Sequence, residues 1–188
     1  MTSIAIVPAA GRSERFGSPK LTVSLRGEPL LELTLRSLLD GHVSRVILVS
    51  ARTGAFDHVP LSRDPRVTVV VNPDPDRGMF SSVQTGLAAA EGDPILMLPG
   101  DMPFVQPATV KAVLEAYRRA PGLITPQRHA RHGHPIAVPG SARAAILAAS
   151  ATSSLSDVIK ALGLPHTEVE VDDKGILNDV DTPADLMG

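Results

Sequence analysis

Short apolar runs alternate with amphipathic stretches along the whole chain. Ile4–Val7, Arg45–Ser50 with its Val-Ile-Leu-Val centre, Val67–Val71 and Ile95–Leu98 have the length and β-branched character of buried strands. After Pro29 the leucines at 30, 31, 33, 35, 38 and 39 fill one helical face, and Gly41 stops the helix. Phe80–Ala90 and Pro107–Arg119 read as further amphipathic helices, followed by Ser141–Ala149 and Leu155–Leu162. Leu123–Thr125 and Ile136–Val138 are short strand candidates flanking a basic loop, and Glu168–Val171 and Ile176–Asn178 are weaker ones. Strands alternating with helices imply right-handed crossovers and a mainly parallel sheet covered on both faces, an α/β fold. With no internal repeat, linker or shift in composition, residues 1–188 are expected to form a single domain.

Composition narrows the chemistry. The chain is 43% hydrophobic and 20% charged, so its core suffices for folding alone. A net charge of −2 argues against bulk attraction to nucleic acid or an anionic membrane. Four Phe, one Tyr and no Trp leave no stacking platform for single strands. Absent cysteine excludes disulfides, thiolate zinc sites and thiol catalysis, and a reducing, cytoplasmic setting is expected. No apolar run approaches the roughly 20 residues that span a bilayer, and no basic residue precedes the short N-terminal run, so no leader is expected.

Ligands of such sheets sit beyond the carboxyl ends of the strands. The first strand is followed there by Pro8-Ala9-Ala10-Gly11, with no side chain large enough to hold a ligand off the backbone. Arg12, Ser13, Arg15 and Lys20 come next. Bare N–H groups beside clustered cations suit a polyphosphate; the bland alternative is a strand-to-helix turn with solvated charges. The spacing fits neither the three-glycine dinucleotide fingerprint nor a P-loop, since Pro19 precedes the lysine and Leu21 follows it. Two other strand tips should meet this loop: Asn72–Ser82, containing Gly78, and Gly100-Asp101-Met102-Pro103. Asp101 lies too far from the helix at Pro107 to cap it directly, and a carboxylate at a strand tip can hold Mg²⁺ against substrate phosphates. Asp181 has two readings, as a second Mg²⁺ ligand or, with Thr182, as the cap of a last helix. Asp179 is expected to face away from Asp181. One of Ser81 and Ser82 is expected to cap the helix that they open, and the other to read a base or ribose. The loop Arg128-His-Ala-Arg-His-Gly-His134 has neither Cys nor an acidic residue nearby in sequence, so it is expected to face an acceptor rather than hold a structural metal. His42, His58 and His166 have no constellation in the sequence.

Taken together, Pro8-Ala-Ala-Gly-Arg-Ser-Glu-Arg-Phe-Gly-Ser-Pro-Lys20, Asn72-Pro through Gly78-Met-Phe-Ser-Ser82, Gly100-Asp-Met-Pro103, Gly133-His-Pro135 and Asp179-Val-Asp-Thr-Pro183 resemble the nucleotidyltransferases, in particular the molybdenum cofactor cytidylyltransferase branch. Pro8 and Pro99 depart from that branch's pattern. The resemblance implies a three-layer Rossmann-like nucleotidyltransferase fold, a nucleoside triphosphate, Mg²⁺ and a phosphorylated acceptor. It implies that Ala10, Gly11, Arg12 and Lys20 hold phosphates, with Ala9 and Ser13 in the same loop. Asn72, Gly78 and Ser82 would stand on the nucleotide side, Ser82 at the base. Asp101 and Asp181 would share the metal, His134 and Arg131 would line the acceptor side, and Lys20, Arg12 and Asp101 would carry the chemistry. A molybdenum enzyme is implied as a transient partner. Guanylyl transfer, a sugar- or alcohol-phosphate acceptor, and a non-catalytic carrier of nucleotide or cofactor remain alternatives.

Overall fold

The computed structural model describes residues 2–11, 20–150, 152–182 and 184–185. The strands are β1 (Ile4–Ala9), β2 (Ser24–Leu25), β3 (Glu28–Pro29), β4 (Arg45–Ser50), β5 (Val67–Val71), β6 (Ile95–Met97), β7 (Leu123–Arg128), β8 (Arg131–His132), β9 (Ile136–Val138) and β10 (His166–Glu170). The helices are α1 (Leu30–Asp40), α2 (Met79–Ala89), α3 (Pro107–Arg119), α4 (Arg143–Ala148) and α5 (Leu155–Leu162). The main sheet runs β10-β7-β9-β6-β1-β4-β5, with β8 also paired to β7. Its centre is parallel, β6 beside β1 beside β4 beside β5, and β10 is parallel to β7. The exception on this path is β9, antiparallel to both β6 and β7.

Alternation along the central strands builds a core on each face. Ala5, Val7, Val46, Leu48 and Leu96 face α1 and α3, whereas Ile4, Ile6, Ile47, Val49 and Ile95 face α2, α4 and α5. The leucine stripe of α1 is fully buried at Leu30, Leu31, Leu35 and Leu38, each such side chain contributing roughly 1.5–3 kcal/mol against exposure. Gly86 lets α2 lie close on the sheet, since a Cβ there would press on Ile6 and Val49. No helix among the described residues is long and apolar enough to cross a membrane.

Three expectations need correction. β5 has the apolar content of a buried strand but closes the sheet as an edge, with Val69 and Val71 about two-fifths exposed. Residues 174–177 form a short 3₁₀ turn rather than the start of a strand, because the Asp173 carboxylate accepts from the Gly175 N–H and curls the chain. The basic loop is ordered as a hairpin, with Gln127 opposite His132 and Arg128 opposite Arg131.

Candidate functional site

The tips of β1 and β6 are drawn together at the carboxyl edge of the sheet. The Gly100 N–H donates to the Pro8 carbonyl at 3.0 Å, and Thr34 Oγ1 donates to the Gly100 carbonyl at 3.0 Å. A Cβ at Gly100 would lie 3.3 Å from the Pro8 oxygen and 3.4 Å from Ala9 and Leu21 side chains, so glycine permits the approach. Asp101 therefore emerges beside the loop that follows β1. Lys20 opens a 3₁₀ turn through Thr22 that is anchored by buried Leu21. The Val180 N–H donates to the Asp101 carbonyl at 2.9 Å, and the fully buried Val180 side chain ties residues 179–181 to this spot.

These elements bring four charged groups together. Lys20 Nζ donates to Asp101 Oδ2 at 2.8 Å and to Asp181 Oδ1 at 3.0 Å. One carboxylate oxygen each of Asp101, Asp179 and Asp181 lies within 4.8 Å of the others. Burial disfavours the Lys20 ammonium, but its hydrogen bonds to the Asp101 and Asp181 carboxylates, with their charges, outweigh it and raise its pKa. The lysine side chain is only 11% exposed, so Lys20 is not one of the solvated charges of an ordinary strand-to-helix turn. Asp179 also needs correction. Positions two apart in an extended segment share a side, so Val180 turns into the core while Asp179 and Asp181 both face the cluster.

The Asp181 carboxylate accepts from Lys20 through Oδ1. The Asp185 carboxylate in turn accepts from the N–H groups of Asp181 and Thr182 at 3.0 and 2.7 Å. That clasp shapes the turn holding Asp181.

His134 approaches from the other side. Its N–H donates to the Ile176 carbonyl at 3.0 Å, and Gly133 allows that approach because any Cβ would strike the same carbonyl. Burial lowers the His134 pKa, against the pull of the Asp101 and Asp179 charges. Arg131 stands exposed in β8, on the hairpin that leads to His134.

A second polar cluster lies at the tip of β5. Asn72 is buried, and its Nδ2 donates to Ser81 Oγ at 2.8 Å and Ser82 Oγ at 3.1 Å. Its Oδ1 accepts from the Asp74 N–H, which folds the loop back toward α2. Gly78 takes a φ of +88°, a conformation that suits glycine, and serves as the N-cap of α2. Neither serine hydroxyl caps the helix; Ser81 donates to the Gly78 carbonyl at 2.7 Å. Ala9 and Ala10 are buried at the tip of β1, and Gly11 is exposed with open space where a side chain would be. Arg12 and Ser13 lie outside the described residues.

Sequence reasoning missed Asp173. It is buried, its Oδ2 accepts from the Gln106 N–H at 2.9 Å and Thr109 Oγ1 at 2.7 Å, and it fastens the start of α3. The Oδ2 partners lie 67 and 64 positions away, so no local signal marks its tie to α3.

Comparison with known proteins places the chain in a family and agrees with its fold. The family described as MobA-like NTP transferase domain matches residues 5–168. The chain is 27% identical over 183 residues to the molybdenum cofactor cytidylyltransferase of Escherichia coli, covering 97% of this chain and 92% of that protein. A nucleotidyl transferase from Methanothermobacter thermautotroptrophicus superposes with a TM-score of 0.80 at 26% identity, covering 99% of this chain and 94% of that one. A Mycobacterium tuberculosis protein solved in complex with manganese has the same fold, with a TM-score of 0.73 at 23% identity over 100% of this chain and 97% of that one.

Proposed function

Because the chain belongs to the MobA-like NTP transferase domain family and is a nucleotidyltransferase, we propose that it moves CMP from CTP onto a phosphorylated acceptor of the molybdopterin type, releasing pyrophosphate. The base and the acceptor follow the Escherichia coli relative, whose similarity spans nearly all of both chains. The observation that carries the reading is the Lys20 ammonium seated between Asp101 and Asp181, with Asp179 alongside, where the central strands end.

That arrangement fits a divalent ion. The carboxylates already hold one cation in the Lys20 ammonium, and a hard ion such as Mg²⁺ takes one or two carboxylates with water and substrate oxygens. Asp101 and Asp181 would hold it, with Asp179 within reach. When bound, Mg²⁺ neutralises the triphosphate and stabilises charge on the departing pyrophosphate.

The residues of the chain then have limited chemistry to perform. A phosphate monoester has a second pKa of about 6, so the acceptor is a dianion near neutral pH and needs no general base. Its oxygen forms a bond to the α-phosphorus; the bond from that phosphorus to the bridging oxygen breaks, and the electron pair leaves with pyrophosphate. Lys20 passes from the carboxylates to the phosphates, where its charge offsets the developing negative charge. The Ala9–Gly11 backbone and Arg12 hold the triphosphate, Ser13 extends that loop, and Asn72 and Gly78 shape the turn that presents Ser82 to the base. His134 and Arg131 orient the acceptor, and the nucleotide-bearing product passes to a molybdenum enzyme.

Pyrophosphate release tests the proposal. Purified protein with Mg²⁺ and molybdopterin should release pyrophosphate from CTP, and chelation should stop it. Release from GTP alone would reassign the base. Release only with a sugar or alcohol phosphate would reassign the acceptor. Nucleotide binding with no release under any pairing would leave a carrier and overturn the catalytic reading.

A further inference from the structure

We infer that the outer face of β8, β7 and β10 carries a second cation site, for a borderline transition ion such as Zn²⁺, built from His132, His166 and Glu168. His166 and Glu168 stand two apart on β10 and share its exposed face, while Thr167 and Val169 alternate to the other face, where Val169 packs against the core. β7 separates β10 from β8, and His132 reaches across it from the hairpin. Its Nε2 lies 2.6 Å from Glu168 Oε1, and its ring meets the His166 ring edge to face with centroids 5.5 Å apart. One ligand atom of each residue lies within 4.8 Å of the other two. Zinc bonds of about 2.1 Å in a tetrahedron place ligand atoms roughly 3.4 Å apart, so small side-chain rotations close the set.

Two features distinguish this cluster from an ordinary surface ion pair. The pair of His132 and Glu168 is half exposed and stabilises little, and it makes no use of His166. His166 is oriented separately: its Nε2 lies 2.7 Å from Thr125 Oγ1, a buried hydroxyl on β7. A hydrogen bond on one ring nitrogen that leaves the other for an ion is the usual support of a metal-binding histidine. Two imidazoles and one carboxylate suit Zn²⁺ and its neighbours, whereas the oxygen-only cluster of Asp101, Asp179 and Asp181 suits Mg²⁺. The sequence expectation of no metal here rested on the lack of an acidic neighbour; Glu168 supplies one from 36 positions away. An ion bound there would clamp the hairpin to edge strand β10.

The site is tested on the full chain, made without a histidine tag and stripped with chelator. Zn²⁺ titrated against a chromophoric chelator should bind at one equivalent, and Co²⁺ should develop the visible absorption of a tetrahedral site. His132→Ala, His166→Ala and Glu168→Gln should each weaken binding roughly tenfold or more, and zinc should raise the melting temperature of the parent but not of these variants. Asp181→Asn should leave zinc binding unchanged. Absence of stoichiometric binding, or binding that survives His166→Ala, would overturn the site. Zinc binding lost in Asp181→Asn instead would put the ion among the carboxylates and overturn it equally.

Discussion

Lys20 has two partners before any substrate arrives, and this changes what its removal does. Lys20→Ala should lower turnover roughly 10²–10³-fold, as loss of one charge-stabilising donor does. It also leaves Asp101 and Asp181 without their shared counterion beside Asp179. Like charges at that range repel, so the melting temperature should fall, and Mg²⁺ alone should restore part of it; thermal scans with and without the ion check both. By the same reasoning Asp101→Asn and Asp181→Asn each strip the charge from a bond to Lys20, and neither should gain stability as relief of repulsion alone would suggest. Asp179→Asn keeps both bonds and should be the most stable of the three, while still weakening Mg²⁺ binding; isothermal titration with the ion ranks them. His134 adds a pH dependence. Burial holds its folded pKa below the ordinary 6.5, so the folded state favours the neutral ring. Its contribution is complete above about pH 6.5 and is lost as the pH falls toward the folded value. His134→Gln should therefore flatten the fall in melting temperature on acidification from pH 7 to 5.

At the scale of elements, the start of α3 depends on a residue from the far end of the chain. Asp173→Ala would strip the acceptor from buried donors at Gln106, Thr109 and Gly175, at a cost of about 2 kcal/mol. The melting temperature should drop by roughly 4–8 °C in a domain of this size, read by calorimetry, and Asp173→Asn should recover only part of it. The helices and most strands were legible because their signals are local: the leucine stripe of α1, the β-branched runs of β1 and β4, and Pro107 at the first turn of α3. Asp101 was legible too, from its place just past a strand. What could not be read were partnerships across the fold. Lys20 meets Asp181 across 161 positions, and His132 meets Glu168 across 36. Such pairings are set by strand order, which apolar periodicity does not encode. The position of β5 failed for the same reason, since an apolar run reads alike at the centre of a sheet and at its edge.

Across the molecule, that edge is a liability to self-pairing, because Val69 and Val71 lie on a strand that has no outer partner among the described residues. Val69→Lys should move the melting temperature by no more than about 2 °C, as exposed substitutions do, and should reduce the light scattering that follows partial unfolding. The sheet also has an order in time. Its strands are all present once synthesis has passed Glu170, whereas Asp179 and Asp181 come only afterwards. Lys20 and Asp101 are therefore both synthesised before the rest of the carboxylate cluster. Val180 then docks by its backbone on Asp101 and brings both remaining acids with it. The carboxylate cluster is thus completed by a segment made after all the described strands.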